Sequence, residues 1–455
     1  MSTPITDEPL YRFHNPVKLV SGRKALEHLP VELDNHDAVR PMVVAFKEQG
    51  LRGRLRRLIG AFRDSGMTLV VYDRLTVGAD LERIRAVAGY FHEAGCDALL
   101  ALGQGPLLHL VKALRLYIQT SALPDVSKGT RDAPPPTDGA SSPRAAAQSD
   151  GGLPRPDPSE PTVRVPLFWL PTGPGAGDEL EGDIEVSGQT MTHPSLRPQL
   201  VCIDRRLLDP SDKNRRDRER LLDSVLIALV NAVEVCLMQG DNPFAVAYAE
   251  AAIGSLVDTL TPDGLEASRG EMVLALTNAA VWAACARDMQ PPGLAHRLGR
   301  ALAVRLDLGA GILMALCLPA VVDRGLSGKP HRTAQLLHLL GDAELYSLSE
   351  PRLRRSKCVN LLREGWHTLC INWPEALPFD LQATGIAREA LPEAARAADP
   401  ADPQSALTIL ERSWTLIPPM QLQAQASTEA AQREKIPTPD SPTDEGAQDA
   451  AAELL

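Results

Sequence analysis

The sequence is short of aromatic residues, which fill 4% of its 455 positions, and it has no surplus of positive charge. Its 47 Lys and Arg stand against 58 Asp and Glu, a formal net charge of −11. A chain of that sign has no global attraction for nucleic acid or an anionic membrane, so neither is expected as a partner. It also lacks a long apolar run. The longest, Ile312 to Val322, falls far short of the roughly 20 residues that cross a bilayer. Missing too is any cysteine pairing: Cys96, Cys202, Cys236, Cys285, Cys317, Cys358 and Cys370 contain no Cys-x-x-Cys, and an odd number so spread is not a disulfide framework. They point to a reducing compartment. Where a secretory signal needs a basic start and then an apolar run, the opening carries Asp7, Glu8, Pro4 and Pro9. A cytoplasmic location is the expectation.

What is present is a 44% hydrophobic content, ample for two packed cores in a chain well beyond about 150 residues. Nine of the 38 prolines fall between Ala122 and Pro161, so 122–162 is expected to be a disordered insertion. From Gln421 onward seven acids face two bases, and 421–455 is read as a disordered acidic tail. Before the insertion, the strand-like runs Pro41–Phe46, Thr68–Tyr72 and Ala98–Leu102 alternate with amphipathic helical patterns at Leu51–Arg63 and Asp80–Ala94. Such a βαβ succession predicts a parallel sheet, joined after the insertion by Val165–Leu170 and Leu200–Ile203. From about Arg218 the periodicity turns helical: Leu221–Met238, Ala245–Leu260, Glu271–Arg287, Leu294–Leu306, Ile312–Val322 and Gln335–Leu340. The fold class is therefore an α/β N-terminal domain over 1–205 followed by an all-helical domain over 206–420.

Two glycine-rich turns follow strands. Gly103-Gln104-Gly105-Pro106 leads from a strand into a helix, where glycines let backbone amides approach an anion and the helix start supplies positive potential. A plain turn is the commoner meaning of such a pair. Lys112, further along that helix, reads as a phosphate cation or as a solvated residue. Pro171 to Glu179 has three glycines in five residues and reads equally as a flat ligand-binding loop or a connector. On one helix Asp223, Ile227, Asn231 and Glu234 share a face. Ile227 cannot ligate and Asn231 offers a neutral amide, so core packing is preferred over a metal site. His296 stands alone at a helix start and reads as a satisfied structural residue, and Arg52, Arg54, Arg56 and Arg57 read as a solvated face, with contact to a nucleotide phosphate as the lesser alternative.

Together these segments resemble the iron-containing alcohol dehydrogenase family. Phe13 to Leu26 is similar to its F-x-x-P-x-x-x-x-x-G-x-x-A-L opening, Gly103–His109 to its G-G-G-S-x-x-D phosphate loop, and Pro171–Glu179 to its P-T-T-x-G-T-G-S-E nicotinamide loop. Ile227–Glu234 is similar to D-A-L-x-H-A-x-E, Gly293–His296, Ala310-Gly311 and Leu318–Val321 to G-L-x-H, H-G and L-P-x-V, and Leu377–Leu381 with Thr384–Ile386 to L-P-x-x-L-x-x-x-G-I. The resemblance implies a Rossmann-like dinucleotide-binding domain and a divalent iron or zinc held by one Asp and three His. Carried onto this sequence, the four ligand positions are Ile227, Asn231, His296 and Ala310, of which His296 alone is retained, and a further family His is Arg300. Iron or zinc is thus not expected. The family Asp that takes the adenosine ribose is Phe46, followed by Lys47, which would favour NADP; the Asp of the phosphate loop is His109, and Pro106 removes a backbone donor. Gly103, Gly105, Lys112, Thr172, Gly175, Gly177 and Lys47 are the candidate cofactor contacts, with weak NAD(P) affinity. The expected function is a catalytically silent binding or assembly protein, a homodimer or larger with a protein partner. The alternative is an NAD(P)-dependent oxidoreductase of alcohols or aldehydes working without metal, with His296 or Arg300 polarising the carbonyl.

Overall fold

Alternation along the strands organises the molecule. The computed structural model describes residues 11, 13–47, 51–119, 165–186, 189–208, 215–238, 242–260, 269–324, 330–341 and 343–415, all within one compact unit, Met1–Thr415. The insertion expected at 122–162 and the tail at 421–455 lie outside these residues. Six strands form one sheet: β1 (Lys18–Gly22), β2 (Pro41–Phe46), β3 (Val70–Leu75), β4 (Ala98–Gly103), β5 (Leu167–Pro171) and β8 (Leu200–Asp204), in the order β1-β8-β5-β4-β2-β3. Every pairing is parallel. Between β5 and β8 the antiparallel hairpin β6 (Asp183–Val186) and β7 (Gln189–Thr192) stands apart. Because successive side chains point to opposite faces, Met42, Val44, Leu99, Ala101, Leu167 and Trp169 enter one core, and Val43, Ala45, Leu100, Leu102, Phe168 and Leu170 the other. Strands covered on both faces read as continuous apolar runs, which is why periodicity found four of them.

Helices cover both faces. α1 (Leu29–Asp34) and α2 (Leu51–Ala61) pack on the second core, α3 (Leu81–Glu93) and α4 (Gly105–Gln119) on the first. α3 is started by Asp80, whose carboxylate accepts the Arg83 N–H at 2.8 Å. Arg54 is buried in α2, so the expected solvated face there holds only for Arg52, Arg56 and Arg57.

Past β8 the chain is helical: α5 (Arg215–Leu237), α6 (Pro243–Leu260), α7 (Arg269–Asp288), α8 (Leu294–Ala303), α9 (Ala310–Arg324), α10 (Pro330–Leu340), α11 (Ala343–Leu348), α12 (Arg354–Asn372), α13 (Leu391–Ala398) and α14 (Pro403–Ser413). α7 fastens these helices to the sheet. Its Val273, Val281, Ala284 and Cys285 enter the first core, and its Asp288 pairs with Arg197. Among the described residues no helix is long and apolar enough to cross a membrane.

Candidate functional site at the carboxyl edge of the sheet

Parallel strands end together, and here the endings gather the glycine-rich turns. Gly103 at the end of β4 is paired in register with Pro171 at the end of β5, and Leu102 with Ala45 of β2. Exposed Lys47 follows β2 directly. The connections leaving β2 and β4 run to opposite faces, α2 to one and α4 to the other, which makes this the point where open α/β sheets leave a crevice. So Lys47, Gly103, Gly105, Thr172, Gly175 and Gly177 lie along one edge. Pro106 sits in the first turn of α4, where its missing N–H costs the helix no bond.

Lys112 does something else. It is fully buried, and its ammonium donates to the backbone carbonyls of Asp178 at 2.6 Å, Glu181 at 2.7 Å and Asp183 at 3.2 Å. An ammonium has three protons, and all three are spent on the chain's own loop. Both sequence expectations for Lys112, phosphate cation and solvated residue, are therefore corrected: it pins the loop after β5 to α4. Burial lowers its pKa from 10.5 to about 8. Arg115, one turn on, is equally buried and donates to the carbonyls of Arg197 and Ser195.

The loop after β5 carries a half-buried charge network. Asp178 Oδ2 stands 3.2 Å from His109 Nε2, while His109 Nδ1 accepts the Glu185 N–H at 3.2 Å. With Nδ1 accepting, the proton sits on Nε2, the nitrogen beside Asp178. Burial alone would raise the Asp178 carboxyl, but His109, Lys112 and Arg287 outweigh it and hold the group below the usual carboxylate range. Glu179, also buried, folds back to accept the Gly177 N–H at 3.2 Å, and burial raises it to about 7. Gly177 itself has φ +103, a conformation that disfavours side chains, and beside it Arg287 of α7 pairs with Glu181. None of Asp178, Glu179, Glu181 or Arg287 stands out in the sequence as a network, because its members lie up to about 110 residues apart and meet only through tertiary packing.

The second group of candidates lies on α5, α8 and α9. His296 Nδ1 bonds Asn231 Oδ1 at 2.8 Å. With the amide oxygen as acceptor, Nδ1 carries the proton and Nε2 keeps a lone pair. Burial, with the charges of Arg287 and Arg300, lowers the imidazole to about 3, so it is neutral at physiological pH. Ile227 is buried and packs against Gly311, where a Cβ would collide with it and with the Asp223 backbone. Ala310 offers a methyl group. Arg300 reaches Glu185 at 3.1 Å, both side chains being more than half exposed. The two acids of the α5 face are helix caps: Asp223 accepts the N–H groups of Gly311 at 2.7 Å and Ile312 at 3.1 Å, and Glu234 those of Ala295 at 2.6 Å and His296 at 3.2 Å. Each carboxylate thus answers the positive start of a neighbouring helix. Burial raises Glu234 to about 7. Among the described residues no group of three or more His, Cys, Asp or Glu could hold a metal ion.

Known proteins bear on this arrangement. Residues 16–205 match the family model described as iron-containing alcohol dehydrogenase. The chain is 20% identical over 339 residues to the NAD-dependent methanol dehydrogenase of Bacillus methanolicus, covering 72% of this chain and 80% of that one. An alcohol dehydrogenase structure from Oenococcus oeni superposes with a TM-score of 0.68 at 17% identity, over 89% of this chain and 100% of the other. A maleylacetate reductase from Rhizobium sp. strain MTP-10005 does so with a TM-score of 0.64 at 18% identity, over 90% and 98%. These likenesses establish the fold.

Proposed function

We propose that this chain is a divergent member of the iron-containing alcohol dehydrogenase family, as its matches support, and that within it this protein is metal-free and catalytically silent, its role being to bind or assemble rather than to turn over an alcohol. A catalytic divalent ion needs about three protein ligands and an open position. The four positions that the resemblance assigns to ligands offer two alkyl groups, one amide and one imidazole. That donor set does not fit iron or zinc. The observation that carries the reading is the bond between His296 and Asn231: it occupies the amide oxygen that would have to serve as a second ligand, leaving the Nε2 lone pair of His296 as the one uncommitted donor at the four positions. The acids nearest by, Asp223 and Glu234, are committed to helix starts. The Arg287 and Arg300 charges that help keep His296 neutral oppose a cation there as well.

The oxidoreductase alternative gains less from the geometry. A neutral His296 with its proton on Nδ1 has none at Nε2 to give a carbonyl, and Arg300 is engaged with Glu185 in solvent. Weak NAD(P) affinity, a homodimeric or larger assembly, a protein partner and the absence of nucleic-acid binding belong to the same proposal. To test it, untreated purified protein is analysed for metal and assayed with NADH and NADPH against an aldehyde panel, with added iron or zinc and with a chelator. The expected result is no stoichiometric metal and no turnover. Stoichiometric iron or zinc, or saturable reduction of any aldehyde, overturns it.

A further inference from the structure

We propose that Asp178 acts as an internal anion that closes the start of α4 to phosphate, and is the residue by which this chain refuses pyrophosphate-bearing nucleotides at the carboxyl edge of its sheet. The inference concerns the nucleotide side and stands apart from the reading of the ion site. α4 opens at Gly105 directly after β4, with no acidic residue in its first turn to answer its positive end. An exogenous phosphate is the usual occupant of such a place. Here a carboxylate from 73 residues further along the chain arrives instead: a Cβ built on Gly105 would stand 3.5 Å from Asp178 Oδ2. The glycine that would let a ligand approach is already approached by the protein.

The carboxylate is held from several sides. His109 Nε2 stands 3.2 Å from its Oδ2, and the His109 ring is itself fixed by the Glu185 N–H on its other nitrogen. Lys112 grips the Asp178 backbone carbonyl at 2.6 Å, which fixes the main chain from which the carboxylate projects. His109 and Asp178 replace an Asp and a Ser of the motifs that these loops resemble, so the acid has changed sides of the crevice. A diphosphate entering beside Gly105 would meet a like charge with its own partners already in place.

The test compares the full-length chain with Asp178→Asn and Asp178→Ser by calorimetric titration with ADP, NADH and inorganic pyrophosphate. The amide oxygen of Asn can still accept from His109, which keeps the loop tied, so Asp178→Asn remains informative where Asp178→Ser destabilises the fold. The wild-type chain should show no saturation below about 1 mM, and the variants should bind ADP and NADH at least tenfold more tightly, with affinity falling as salt rises. Micromolar binding by the wild-type chain overturns the proposal, and so does an unchanged affinity in Asp178→Asn. Neither result touches the metal reading, whose failure shows as metal content or turnover in the wild type.

Discussion

Lys112 shows how far a residue's meaning depends on its surroundings. A lysine one and a half turns into a helix after a glycine turn invites assignment to a phosphate, yet its three protons go to carbonyls. Removing it strands three partly buried acceptors, each worth up to about 1–3 kcal/mol when unsatisfied. Lys112→Met should therefore lower stability by several kcal/mol in urea unfolding. Its titration has a direction too. With the folded pKa near 8 and the unfolded one near 10.5, the unfolded chain binds more protons between those values, so this residue makes the protein more stable as pH rises through that window. Glu179 behaves oppositely. Its folded pKa of about 7 lies above the ordinary 4.5, so its contribution is complete below pH 4.5 and is lost as pH climbs toward 7. Unfolding measured across pH 4.5 to 7 should show a shallower decline in Glu179→Gln than in the wild type. At the four positions that the resemblance assigns to ligands, Ile227→Asp, Asn231→His and Ala310→His together should supply a donor set beside His296. Zinc at a hundred times its Kd should then stabilise that variant by about 2.7 kcal/mol in a thermal melt and leave the wild type unmoved.

Elements were legible where packing is local or two-sided. β2, β4, β5 and β8 are apolar throughout, and α2, α3 and the helices from α5 to α9 fall within a few residues of the periodic segments that announce them. β3 is displaced toward its C-terminus, running to Leu75, because Asp73 and Arg74 at the sheet's edge break the apolar pattern. β1 escapes periodicity, since Lys18 and Ser21 interrupt it and it gains its place by pairing with β8. The hairpin β6–β7 and α12 are too polar to declare themselves. The glycine turns and the face of α5 were legible as positions in the sequence, and the structure puts the two turns at one edge of the sheet. What those side chains do was not, because the partners of Asp223, Glu234 and Asp178 lie 61 to 89 residues away or across the loop. The caps make a prediction at this scale: Glu234→Ala leaves two N–H groups at the start of α8 without their acceptor and should cost about 1–3 kcal/mol, read by chemical denaturation.

For the molecule as a whole, the cysteines report on compactness. All seven are free thiols, six of them buried, and only Cys96 is partly accessible. Burial raises the thiols of Cys236, Cys285, Cys317 and Cys358 to about 12. The thiolate is the reactive form. An aromatic disulfide reagent at pH 8 should accordingly label at most one thiol rapidly in the native protein and all seven after denaturation; several fast equivalents would mean that the core opens readily. The same economy of internal partners governs the helical part. Asp223 and Glu234 stand about three turns apart on α5 and grip the first peptides of α9 and α8. Those junctions are riveted from within the chain, by carboxylates that meet the helix starts directly. Ile227 and Ala310 lie beside these caps, and the seams that α5 makes with α8 and α9 hold with alkyl groups there.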